Sequence, residues 1–172
     1  MSVRRQLVNQ GLAHCEPEIG RWLWALEDVR KRTKRAVEGI SQAVLDDNHG
    51  GNSAGTLLYH IGAVELDWLF ADVLGQELPP GAMERFPYQV YDAERKLVAV
   101  FGETLEVHFS RLDYVRGLLL QVYKPMNLGE FRRVRSYPDH DVSPEWVLYH
   151  LIRHEAEHQG QILMLCRQSR ER

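Results

Sequence analysis

Ser143-Pro144-Glu145-Trp146-Val147-Leu148-Tyr149-His150-Leu151-Ile152-Arg153-His154-Glu155-Ala156-Glu157-His158 is the stretch that decides the fold. It opens as a helix should. Ser143 can cap with its hydroxyl, Pro144 suits the first helical position, and Glu145 puts a carboxylate at the positive end of the helix dipole. At roughly 100° per residue, each four-residue step advances the wheel by only about 40°. His150, His154 and His158 therefore stack along one face, together with Trp146, Val147, Leu151, Ile162 and Leu165. His154 falls near the centre of that face. The pattern predicts a helix from Ser143 to about residue 168, with imidazoles pointing into the protein, where an unpartnered one is costly to bury. Histidines at i and i+4 can hold one metal ion between them. The spacing alone is also met by core histidines satisfied through hydrogen bonds.

Working outward, three further segments have helical periodicity. Residues 16–40 carry Ile19, Trp22, Leu23, Leu26, Val29, Ala36, Val37 and Ile40 on one stripe, with Pro17 in the first turn. The run Arg30-Lys31-Arg32-Thr33-Lys34-Arg35 inside it reads as a solvated helix face, because a helix scatters consecutive residues around its circumference. A glycine- and asparagine-rich turn at 46–52 precedes Ser53, a predicted N-cap for a helix reaching about Gly75. The third segment starts near Thr104 and runs to about Tyr123. Four amphipathic helices must bury their stripes against one another, so the expected fold is all-α, a four-helix bundle forming a single domain over 1–172. Two connections, 76–102 and 124–142, are longer than bundle loops usually are and contain Pro79-Pro80-Gly81, Pro87, Pro125, Gly129 and Pro138. Leu97 to Phe101 is too weak a pattern to predict as a strand.

Composition excludes several classes. With 21 basic and 24 acidic residues the formal net charge is −3, which favours neither nucleic acid nor an anionic membrane as partner. Cys15 and Cys166 lack CxxC spacing and suit a reducing compartment. Residues 1–12 lack the apolar core of a signal peptide, and no apolar run is long enough to span a bilayer. The expected location is the cytoplasm. A chain of this length can build a core without a metal, which leaves a metal site free for chemistry.

The second helix adds His60, on the flank of the stripe formed by Leu57, Leu58, Ile61, Val64, Trp68 and Leu69. From there it can reach a facing helix, as ligands in helical bundles do. With Tyr59-His60-Ile61-Gly62-Ala63-Val64-Glu65 and His150-Leu-Ile-Arg-His154-Glu-Ala-Glu-His158-Gln-Gly160-Gln161-Ile162, the chain resembles the DinB/YfiT-like superfamily. Trp22-Leu-Trp-Ala-Leu-Glu and the block 104–116 fit as well; Gln159 departs from the arginine common there. The resemblance implies a divalent metal held by His60, His154 and His158. It further implies metal-dependent chemistry of the thiol-dependent transferase or hydrolase kind. Zinc or nickel is the expected ion, with iron or manganese as alternatives, and a low-molecular-weight thiol is a candidate co-reactant.

Three imidazoles leave a coordination position open, as in catalytic sites. The expected reaction is attack by a metal-activated thiol or water on a small electrophile. A non-catalytic metal-binding or small-molecule-sensing bundle is the alternative. Candidate supporting residues are Glu157 as general base, His150 as a pocket residue, and His108 and Arg116 above the metal, with Arg116 gripping an anionic group. Cys166, after the apolar run at 163–165, is a poor nucleophile candidate. Expected partners are a small-molecule substrate and a second copy of the chain in a homodimer.

Overall fold

The computed structural model describes residues 8–48 and 50–170. Residues 1–7 of the N-terminal segment, His49 of the predicted turn, and residues 171–172 lie outside the described residues. The chain is mostly helical. Its four long helices are α1 (Pro17–Ala36), α3 (Ala54–Asp67), α5 (Leu105–Tyr123) and α7 (Pro144–Arg170). Short helices α2 (Gln42–Asp46), α4 (Ala82–Arg85) and α6 (Leu128–Arg132) lie in the connections. A two-stranded antiparallel hairpin pairs β1 (Arg135–Ser136) with β2 (Asp141–Val142). No described helix is long and apolar enough to cross a membrane.

The predicted caps are where the sequence put them. The Ser143 hydroxyl accepts from the amide of Trp146 at 3.2 Å, and Ser53 accepts from Thr56 at 3.0 Å. Thr104, expected only as the start of its helix, also caps it, accepting from the amide of Val107 at 3.4 Å. Each satisfies an amide that a helix start otherwise leaves unpaired. α1 stops at Ala36 rather than at 40. The chain turns through Gly39, whose φ of +72° suits glycine, and Ser41 caps the five-residue α2. Helices this short are invisible to a periodicity argument, as are α4 and α6. α3 does not end at Asp67. It continues as a π-helical stretch, Trp68–Leu74, closed by Gly75 at φ +61°. The wider turn re-aims Trp68 and Asp72, and such segments recur at functional sites.

α1 packs along α7, and α3 packs against both α5 and α7. Two apolar clusters result. One is built on Leu23, Leu26, Tyr59, Leu66, Leu69, Leu119, Tyr123, Val147 and Leu151; the other on Val37, Leu45, Leu57, Leu58, Ile61, Leu112, Ile162 and Leu165. Between them lies a buried charged layer. Arg30 donates from Nε to Glu155 Oε1 at 2.7 Å, from Nη2 to Glu65 Oε2 at 2.6 Å, and from Nη1 to the Leu112 carbonyl at 2.8 Å. Arg116 donates from Nε to Glu65 Oε1 at 2.8 Å and from Nη2 to Glu65 and Glu155 at 3.0 and 3.2 Å. Its Nη1 is taken by Glu27 and the Leu26 carbonyl. This corrects two expectations. Arg30 is not part of a solvated face, since it and Thr33 are buried while Lys31, Arg32 and Arg35 are exposed. Arg116 is not a pocket cation, because all five of its N–H groups are committed to the layer.

The connections are tied down rather than loose. The Tyr59 hydroxyl donates to the Tyr88 carbonyl at 2.6 Å and accepts from the Tyr88 amide at 2.9 Å. Thr56 accepts from the Val100 amide at 3.0 Å. Gly62 lets the Phe86 ring approach α3, where a Cβ would stand 3.2 Å from it. Of the stretch at 97–101, only Leu97 pairs, in an isolated bridge to Tyr91. The hairpin is pinned to the π-helical stretch by His140, whose Nε2 lies 2.7 Å from Asp72 Oδ1, and by Tyr137, whose hydroxyl meets the carbonyls of Ala71 and Asp72 at 2.9 Å.

Candidate metal centre

His60 projects from the middle of α3 and His154 and His158 from α7, two helices in direct contact. Their Nε2 atoms converge. His154 Nε2 stands 3.0 Å from His60 Nε2 and 3.1 Å from His158 Nε2. Among the described residues, these three form the group of metal-capable side chains whose ligand atoms lie together, within 4.8 Å of one another. Imidazole nitrogens bound to a common ion at about 2.0–2.1 Å stand about 3.0–3.4 Å apart, so the trio fits a divalent ion.

Electrostatics favour the protonation state a ligand needs. Burial, reinforced by the neighbouring His158, pushes the His60 imidazole down to about 4. Burial, with His158, His60, His150 and Arg153 adding to it, pushes His154 down to about 3. Both are neutral near pH 7, with lone pairs available. The tautomer of His158 is set from behind: its Nδ1 lies 2.8 Å from Gln161 Oε1. A proton on Nδ1 donated to that oxygen leaves Nε2 bare toward the other two rings, the usual outer support of a metal-ligating histidine. In the sequence Gln161 stands in the tail of the motif that follows His158. Its spacing of three residues from His158 on one helix is the signal that assigns it this role.

His150 is not in the trio. It stacks on Trp146 with ring centroids 5.2 Å apart and 5° between planes, and lies 4.8 Å from the Trp68 ring. Trp146, expected on the inward face, is 45% exposed and serves as the outer plate of this stack. His150 and His154 both line a cavity of about 580 Å³, walled by Trp68 and by Leu78, Met83, Phe86 and Tyr91 of the 76–102 connection. The long loop thus shapes a space that reaches a candidate ligand.

The remaining candidates lie elsewhere. Glu157 is on the outer side of α7, 63% exposed in its side chain and 3.6 Å from Arg153, so it is not an inward base. The buried carboxylate of that turn is Glu155, which faces Arg30 and Arg116. Burial alone would raise the Glu65 carboxyl, but Arg116 and Arg30 outweigh it and hold it below the usual range. His108 is fully buried beside Gly55, with Arg111 Nη1 3.4 Å from its Nδ1 and Glu103 4.0 Å from its Nε2; it is not a cavity residue. Neither cysteine is in a disulfide, and Cys166 is buried in the second apolar cluster.

A family model described as the DinB superfamily matches residues 25–162, a span that contains the three histidines and Gln161. The chain belongs to the DinB superfamily. No curated protein matches it. For this DinB-superfamily chain, the trio is an arrangement that can hold a metal ion, and His154 of the trio also lines the cavity.

Proposed function

We propose that this DinB-superfamily chain is a four-helix bundle built from α1, α3, α5 and α7, and a metal-dependent enzyme. In this reading a divalent transition ion is held by His60, His154 and His158. Zinc or nickel is the proposed ion, since imidazole donors suit either. The observation that carries the reading is the convergence of three Nε2 atoms from two helices beside a cavity. A closed structural site has no need of such a space, because it fills its coordination with protein ligands.

Bound there, the ion would supply Lewis acidity and lower the pKa of a water or thiol, the two nucleophiles proposed for attack on a small electrophile. The chain's own contribution is positional and electrostatic. His60 and His154 stay neutral through burial, and Gln161 orients His158. Trp68 and the loop at 76–102 shield the approach to His154 from water. His150, packed against two indoles that also touch each other, is the imidazole nearest the ligand set along the cavity wall and is proposed to orient the substrate.

The test is elemental analysis of protein produced without a histidine tag, followed by thiol-transfer and hydrolysis assays on the loaded protein. About one equivalent of a transition metal, lost in His154→Ala, supports the reading. Absence of metal after growth in supplemented medium, with no uptake in vitro, overturns it.

A further inference from the structure

The loop that walls the cavity exposes more apolar surface than folding accounts for. Leu78, Tyr88 and Tyr91 are each 41% exposed and Met83 is 67% exposed, and all four line the same cavity. Large apolar side chains gathered around a concave opening mark a ligand site more often than a folding requirement. Trp68 closes one side, delivered there by the π-helical stretch.

The charge of the lining narrows the ligand further. Apart from its histidines, the one acidic or basic lining residue is Asp67, whose carboxyl is pushed up by burial and then by Asp72. No lysine or arginine lines the cavity among the described residues. The nearby arginines are engaged elsewhere. Arg116 is committed to the buried layer, Arg111 to Glu103, and Arg85 lies over the Tyr114 ring. Arg95 lies against Tyr91, 5.2 Å from the ring centroid, without joining the lining. Away from the His154 end, an anionic group lying against the loop wall would lose hydration with no side-chain cation to replace it, and would meet Asp67.

We propose that the cavity selects molecules with an uncharged, largely apolar body and rejects those that place a carboxylate, sulfonate or phosphate against the loop wall. The apolar body lies against Trp68, Met83 and Tyr91, and a donor atom on it points toward His154. The donor's anchor rests on the metal reading proposed above; the apolar preference does not.

The probes are two thiols presenting the same sulfur, phenylmethanethiol and 2-mercaptoethanesulfonate, with toluene as the body without a donor. Dissociation constants are measured on the metal-loaded full chain by calorimetry, and contact with Trp68 by its indole proton–nitrogen resonance. Phenylmethanethiol should bind about tenfold or more tighter than the sulfonate, the scale expected for burying an aromatic body. Toluene should still shift the Trp68 resonance. Met83→Glu, at an exposed position, should weaken phenylmethanethiol about fivefold while metal content stays unchanged, and Asp67→Lys should improve the sulfonate. Equal or tighter binding of the sulfonate, an unchanged affinity in Met83→Glu, or no toluene effect at Trp68 overturns the proposal. Should the chain hold no metal, equal binding of toluene and phenylmethanethiol, with no sulfonate binding, supports the apolar preference while the metal reading falls.

Discussion

At the residue scale, the trio divides labour between distance and tautomer. His154 stands between the other two nitrogens, so His154→Ala should abolish stoichiometric metal, and His158→Ala should do nearly the same. His60→Ala should lose far more affinity than His150→Ala, since the His150 ring packs against Trp68 and Trp146; the reverse order in a chelator competition would overturn the ligand set. Gln161→Leu keeps the ligands but frees the His158 ring, and should cost about tenfold in metal affinity at unchanged helicity. His108 gives a pH prediction independent of the metal. Burial, then Arg111, pushes its imidazole down to about 4, whereas an unfolded histidine titrates near 6.5. Between those values the unfolded chain binds more protons, so this contribution is complete above about 6.5 and is lost as pH falls toward about 4. Urea unfolding at pH 7 and pH 5 should show a smaller acid loss in His108→Leu than in the parent; identical losses would remove His108 as a cause.

At the element scale, the helices carrying the histidines are cross-braced by the charged layer. Glu65 lies five residues after His60 on α3, and Glu155 directly follows His154 on α7; both are gripped by Arg30 of α1 and Arg116 of α5. Such a layer is weak evidence for stability as a whole, because desolvating four charges costs about as much as their attraction returns. Removing one member is different, since it leaves a buried charge short of partners. Arg30→Met should therefore destabilise the chain by about 3–5 kcal/mol in denaturant titrations. Replacing Arg30, Glu65, Arg116 and Glu155 together by apolar residues of similar volume should cost less than that single change. A quadruple variant no more stable than Arg30→Met would mean the layer is net stabilising.

At the scale of the whole molecule, the two apolar clusters span all four long helices without needing the trio. Chelation should therefore leave the far-ultraviolet circular dichroism spectrum close to that of the loaded protein. The melting temperature should fall, because an ion that binds only the folded chain stabilises it by mass action. Collapse of most helical signal on chelation would identify a structural metal and reverse the enzyme-first reading.

The helical class, the four long segments and the capped starts at Ser53 and Ser143 were legible in the sequence, because periodicity and caps are local properties of a helix. Ser53 and Ser143 declare themselves within a few residues of the amides they serve. The three histidines were legible as candidates through one i, i+4 spacing and a motif on a second segment. Their meeting within 3.0 and 3.1 Å was decided by the packing of α3 on α7. The charged layer leaves a trace in the sequence. Arg30 follows Leu26 by four residues, Glu65 follows Ile61, Arg116 follows Leu112 and Glu155 follows Leu151, so each stands in an apolar stripe. One helix alone reads such a residue as solvated, since no local rule rewards burying a charge. Only tertiary structure supplies the opposite charge that makes burial tolerable, as it does for Arg30 and Arg116, while leaving Glu157 in water. The cavity likewise belongs to no segment. Its walls come from α3, the π-helical stretch, the 76–102 connection and α7, separated by up to some ninety residues of chain and brought together by burial of the apolar stripes between them.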